Sequence, residues 1–114
     1  MHELAVAAEL LELARRVAAD EGARRVTVIR LRLGAASCLS PDSLSFGLEA
    51  LAAGTATEGC RLEVERVPAP VSCPACGWRG EVRDMEGLIC DLCRQTPLTI
   101  LGGREMTVVS LDVE

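Results

Sequence analysis

Two Cys-x-x-Cys pairs, Cys73-Pro74-Ala75-Cys76 and Cys90-Asp91-Leu92-Cys93, stand 13 residues apart in the second half of this chain. A tight turn between such cysteines aims both sulfurs at one point, and two turns complete a tetrahedral set of four thiolates. That ligand set suits Zn2+ best. Four thiolates fill the metal and leave no place for a reactive water, so the spacing predicts a structural zinc site on Cys73, Cys76, Cys90 and Cys93. A redox dithiol and an iron–sulfur cluster are the competing uses of the same residues. Gly77 follows Cys76 and suits the first turn, whereas Arg94 holds the matching place behind Cys93. Arg79, Arg83 and Arg94 are the nearby cations expected to offset the −2 left by four thiolates on a dication. Few apolar residues recur periodically here, so this piece should depend on its metal to fold. Cys38 and Cys60 have no pair spacing and are expected to be buried small hydrophobes.

The rest of the chain reads as a small α+β domain. Residues 3–21 carry Leu4, Ala7, Leu11 and Ala18 with Val6, Leu10, Leu13, Ala14 and Val17 on one half of a helix, and Gly22 is placed to end it. Residues 25–33 alternate as a strand, with Thr27, Ile29, Leu31 and Leu33 as the face a helix should cover; Gly34 breaks the run. Ser40-Pro41-Asp42 starts a second helix, striped by Leu44, Leu48 and Leu51 and stopped by Gly54. Residues 61–67 and 106–113 alternate again. Pro68 and Pro70 mark a boundary, because proline cannot donate to a sheet ladder. The reading is two helices packed on a small mixed three-stranded sheet, with a four-cysteine, zinc-ribbon-like domain inserted before the last strand. The domains would be 1–67 plus 104–114, and 68–103.

Composition excludes several uses. All 12 basic residues are arginine and the net charge is −5, negative in both halves, so no basic face is offered to nucleic acid. One Trp and one Phe make no stacking platform for bases. No apolar run reaches the roughly 20 residues of a membrane span, and the acidic start without a basic n-region leads us to expect no secretory signal peptide. A cytoplasmic protein is expected, where cysteines serve as metal ligands or free thiols. No Ser/His pair, P-loop or G-x-G-x-x-G motif is present, so the chain reads as a non-enzyme.

His2 is the sole histidine. The α-amine of Met1, the deprotonated amide of His2 and its imidazole Nδ1 can close two fused chelate rings, an arrangement that favours square-planar Ni2+ or Cu2+. The amide or the carboxylate of Glu3 could supply the remaining position. The opposing reading is a solvated terminal residue.

The chain resembles the HypA/HybF nickel metallochaperones of hydrogenase maturation. The resemblance rests on the opening Met1-His2-Glu3-Leu4, on residues 26–34 (VTVIRLRLG), and on Leu39-Ser40-Pro41-Asp42-Ser43-Leu44 with Phe46. It extends through Gly54-Thr55, Glu58-Gly59, Leu62-Glu63-Val64 and the paired C-x-x-C motifs to the last strand. It implies transported Ni2+ on His2, with Met1 and Glu3 contributing, and structural Zn2+ on Cys73, Cys76, Cys90 and Cys93. It implies as partners a HypB-like GTPase and the large-subunit precursor of a [NiFe]-hydrogenase, with delivery to urease in some members.

Overall fold

A computed structural model describes residues 2–86 and 88–114, apart from the His2 side chain. In chain order the elements are α1 (His2–Asp20), β1 (Val26–Gly34), a 3-10 turn (Ala35–Ser37), α2 (Pro41–Ala52), β2 (Arg61–Val67), β3 (Ala69–Ser72), β4 (Arg79–Val82), β5 (Thr99–Ile100) and β6 (Met106–Val113). They fall into two compact units. The first comprises Met1–Leu31, Leu39–Val64 and Val108–Glu114; the second comprises Arg32–Cys38 and Glu65–Thr107.

In the first unit the helices form where the apolar pattern and the caps expect them. Ala7, Leu10, Ala14 and Ala18 make the buried stripe of α1. Its end is a Schellman closure: the Ala23 N–H donates to the Ala18 carbonyl and the Gly22 N–H to the Ala19 carbonyl. Ser40 caps α2 by accepting from the Ser43 N–H at 3.3 Å, and Pro41 follows in the first turn. Leu44, Gly47, Leu48 and Ala52 are the buried face of α2. The helices meet closely at Gly47, where a Cβ would lie 3.4 Å from Leu4 Cδ1 and 3.6 Å from Ala7 Cβ. Two residues expected inside are exposed instead: Leu4 (41 %) and Leu51 (40 %). Ala52 holds the buried position one residue beyond Leu51, because four residues after Leu48 the helix again faces inward.

The three-stranded sheet has the order β2-β1-β6 and is mixed. Arg25 and Glu114 exchange backbone hydrogen bonds while the Gly34 N–H reaches the Glu105 carbonyl, so β6 runs antiparallel to β1. Arg30 pairs with Glu63 and Arg32 with Glu65, so β1 and β2 advance together, and α2 supplies the crossover a parallel pair needs. As the central strand, β1 buries Val26 and Val28 as well as Ile29, Leu31 and Leu33. Thr27, expected on the covered face, is half-buried and donates its hydroxyl to the Asp112 carbonyl. Arg30 ties three strands together: two of its nitrogens meet the two Asp112 oxygens at 2.8 and 2.9 Å, and its Nε meets Glu63 at 3.0 Å. The Arg30 guanidinium holds the Asp112 carboxyl below its usual range. Arg61, with Arg30 behind it, does the same for Glu63.

The second unit has its own sheet, order β4-β3-β5, which alternation in the sequence did not announce. Pro70, expected to be barred from a sheet ladder, lies within the central strand. It accepts from the Leu101 N–H through its carbonyl but has no N–H to return, and β5 stops at Ile100, where that ladder would continue. The apolar core here is small. Ala35, Ala36 and Ala69 are buried, with Val82, Met85 and Ile100 packed around them. Gly34 still belongs to β1, and the chain crosses so closely there that a Cβ would collide with the Gly103 carbonyl.

Candidate metal centre

The first cysteine turn joins β3 to β4. Cys73 follows the end of β3, its N–H donates to the Trp78 carbonyl at 2.7 Å, and its carbonyl accepts from Gly77 at 3.0 Å. The Cys76 N–H points at Cys73 Sγ, 3.4 Å away. Gly77 takes φ +80°, which glycine adopts without a Cβ clash. The second turn repeats this arrangement. The Cys90 N–H donates to the Thr96 carbonyl at 3.1 Å, and the Cys90 carbonyl accepts from Arg94 at 2.9 Å. Arg94 takes φ +58°, so an arginine is held in the left-handed backbone that glycine occupies in the first turn.

The four sulfurs converge. All lie within 4.8 Å of one another. Cys73 and Cys93 are 3.7 Å apart and Cys76 and Cys90 are 3.6 Å apart. Four sulfurs held tetrahedrally about 2.3 Å from one ion would stand about 3.8 Å from each other. The cluster therefore has the dimensions of a tetrahedral tetrathiolate metal site. Cys73 and Cys90 are buried, Cys93 is half-buried and Cys76 is exposed.

Electrostatics point the same way. The Cys76 N–H, helped by that of Ala75, brings the Cys73 thiol down to about 6. The N–H groups of Cys93 and Leu92 lower Cys90 in the same manner. The Trp78 N–H pulls Cys76 down too, but desolvation of its sulfur inside the cluster and the neighbouring cysteines outweigh it and push that thiol up to about 12. The turns thus stabilise some thiolates, and a full set of four requires a cation among them. Backbone N–H dipoles are the donors that meet the sulfurs. Among the described residues, no hydrogen bond joins Arg79, Arg83 or Arg94 to a cluster sulfur, although their places in the sequence suggest that task. Amide-to-sulfur bonds are a property of the turn itself, and the C-x-x-C spacing is their only signal.

Cys38 and Cys60 stay outside the cluster. Neither is the buried hydrophobe expected. Cys38 is exposed at the left-handed end of the 3-10 turn, φ +62°. Cys60 is half-buried, and that burial raises its thiol.

The expected nickel ligands fall at the start of α1. Met1 and the His2 side chain lie outside the described residues. His2 opens the helix, and Glu3 is half-buried in its first turn. Glu3 and Leu4 on α1 line a groove with Asp42, Ser43, Phe46, Gly47 and Ala50 on α2. No helix is long and apolar enough to cross a membrane among the described residues.

The family described as "HypA: Hydrogenase/urease nickel incorporation, metallochaperone, hypA" matches residues 1–113. A Hydrogenase maturation factor HypA from a Roseiflexus species is 40 % identical over 114 residues, spanning 100 % of this chain and 93 % of that protein. Two solved structures share the fold. The solution structure of the Ni metallochaperone HypA from Helicobacter pylori superposes with a TM-score of 0.61 at 18 % identity, covering 97 % of this chain and 96 % of that one. A second, the solution structure of a HypA protein, gives 0.67 at 19 % identity, covering 100 % and 97 %.

Proposed function

This chain belongs to the HypA family of hydrogenase and urease nickel-incorporation metallochaperones, and we propose that it carries Ni2+ on its N-terminus while a permanent Zn2+ holds its second unit. It is a maturation factor and not an enzyme.

The observation that carries the proposal is the contrast in donors. The cluster of Cys73, Cys76, Cys90 and Cys93 is closed, four-sulfur and of tetrahedral dimensions, which suits Zn2+ as a resident ion. A carrier must also release its cargo, and a site of few nitrogen donors at a chain end does so more readily than a cage. His2 is the first residue of α1, where backbone N–H groups have no intrahelical acceptor. The His2 amide can therefore lose its proton to nickel without breaking a helical hydrogen bond. The Met1 amine and the His2 imidazole complete two chelate rings, with Glu3 contributing the remaining donor. On this reading the first unit is the nickel-binding domain, and the segment 68–103, inserted between β2 and β6 and forming most of the second unit, is the zinc domain. Delivery takes place in the cytoplasm, with a HypB-like GTPase and the large-subunit precursor of a [NiFe]-hydrogenase as partners, and with urease as an alternative acceptor.

The test is a calorimetric Ni2+ titration of wild type and His2→Ala, both with a native N-terminus. One Ni2+ per chain in wild type and none in His2→Ala is expected. Binding should weaken from about pH 7.5 to about pH 5.5 as the imidazole is protonated. Undiminished nickel binding by His2→Ala would refute the assignment.

A further inference from the structure

Apart from the metal sites, the first unit carries an open groove between its two helices. The groove between the start of α1 and α2 encloses about 620 Å³. Its walls are apolar: Leu4 is 41 % exposed and Phe46, the chain's single phenylalanine, is 75 % exposed. Its floor is Gly47, which is buried where the helices touch. An exposed phenylalanine beside an exposed leucine, on a chain whose other aromatic residue is one tryptophan, leaves apolar area without a partner of its own.

Charge indicates what would cover it. Helices α1 and α2 hold Glu3, Glu9, Glu12, Asp20, Asp42 and Glu49 against Arg15 and Arg16. Glu12 is met by Arg15 on its own helix. Glu3 and Asp42 line the groove itself. An apolar trough with carboxylates on its rim is complementary to a segment with apolar anchors on one face and cations beside them.

We propose that the α1–α2 groove is a docking site for a basic amphipathic helix of a partner protein. An apolar side chain of that helix would sit against Phe46 and Leu4, and its arginine or lysine residues would face Glu3 and Asp42. The groove forms without nickel, and in the nickel-free protein Glu3, assigned as a nickel donor, is open to the partner's cations. Because Glu3 follows His2 in the chain, a helix seated here would lie beside the residue assigned to the cargo.

The test uses the full-length zinc-loaded protein without nickel and a synthetic helical peptide of leucine on one face and arginine on the other. Amide chemical shifts follow the titration. Expected are saturable shifts at Leu4, Asp42, Phe46 and Ala50, and at least tenfold weaker binding by Phe46→Ser, whose exposed position leaves the fold intact. Asp42→Asn should weaken binding severalfold and lower its salt dependence. A peptide of the same composition with its leucines scrambled should bind at least tenfold more weakly. Shifts centred elsewhere, or equal binding by Phe46→Ser, would overturn the proposal. Concentration-dependent dimerisation that Phe46→Ser abolishes would also overturn it, since the groove would then be covered by a second copy of the chain.

Discussion

The two units solve the same problem with different materials. The first buries leucine, isoleucine and valine from two helices and a strand: Leu10, Leu44, Leu48, Val26, Val28, Ile29 and Leu31. The second buries one leucine, Leu33, with Val71, three alanines and two cysteines. Full burial of a large aliphatic side chain contributes about 1.5–3 kcal/mol, so the first unit can stand on its core. The second cannot reach the same sum from Leu33, Val71 and three alanines, and on the proposed reading a metal held by its convergent sulfurs makes up the difference. A structural tetrathiolate zinc contributes on the order of 10 kcal/mol, comparable to the net stability of a whole domain.

The sharpest way to break the contrast is to take the metal away. Cys90→Ser should unfold the second unit, and the tryptophan fluorescence of Trp78 should report it. Circular dichroism should retain the signal of α1 and α2, which lie in the first unit. If the helical signal collapsed with the tryptophan signal, the units would not differ as described. The converse is Leu44→Ala. Leu44 is fully buried, and its truncation should cost about 2–5 kcal/mol in chemical denaturation while the zinc content stays at one per chain.

A smaller effect separates the two cysteine turns. Arg94 repeats the left-handed backbone of Gly77, at a cost of about 1 kcal/mol that glycine does not bear. Arg94→Gly should therefore slow zinc transfer to a chromogenic chelator, and Gly77→Ala should accelerate it. Equal rates for wild type and Arg94→Gly would show that the backbone of the second turn does not limit release.

The smallest effect belongs to the sheet face of the first unit. Asp112 and Glu63 have lowered carboxyl values because of Arg30 and Arg61. A lowered folded-state value stabilises above the unfolded value and is lost as pH falls through the folded one. Stability of the first unit should thus decline modestly as pH falls through and below the carboxylate range near 4, and Arg30→Met should flatten that decline. Urea midpoints across this range measure both.

What the sequence disclosed follows the same division. Both helices, all three strands of the β2-β1-β6 sheet and the Ser40 cap were legible because periodicity and capping are local signals. The sheet of the second unit was not, since β3, β4 and β5 are short and the first carries Pro70 in its middle. The missed exposure of Leu4 and Leu51 has another cause: a helical stripe marks which residues share a side but not where that side's cover ends. The four cysteines were legible from spacing alone. The left-handed Arg94 was not, because nothing in its side chain announces a backbone that the turn imposes.

If one metal is resident and the other is cargo, the two must part under mild competition. The untagged protein is loaded with both ions, dialysed against a histidine-containing buffer at neutral pH, and its metals per chain are counted. One Zn2+ retained with all Ni2+ removed is the predicted result. Loss of both ions together, or Ni2+ found in place of Zn2+ among Cys73, Cys76, Cys90 and Cys93, would contradict it.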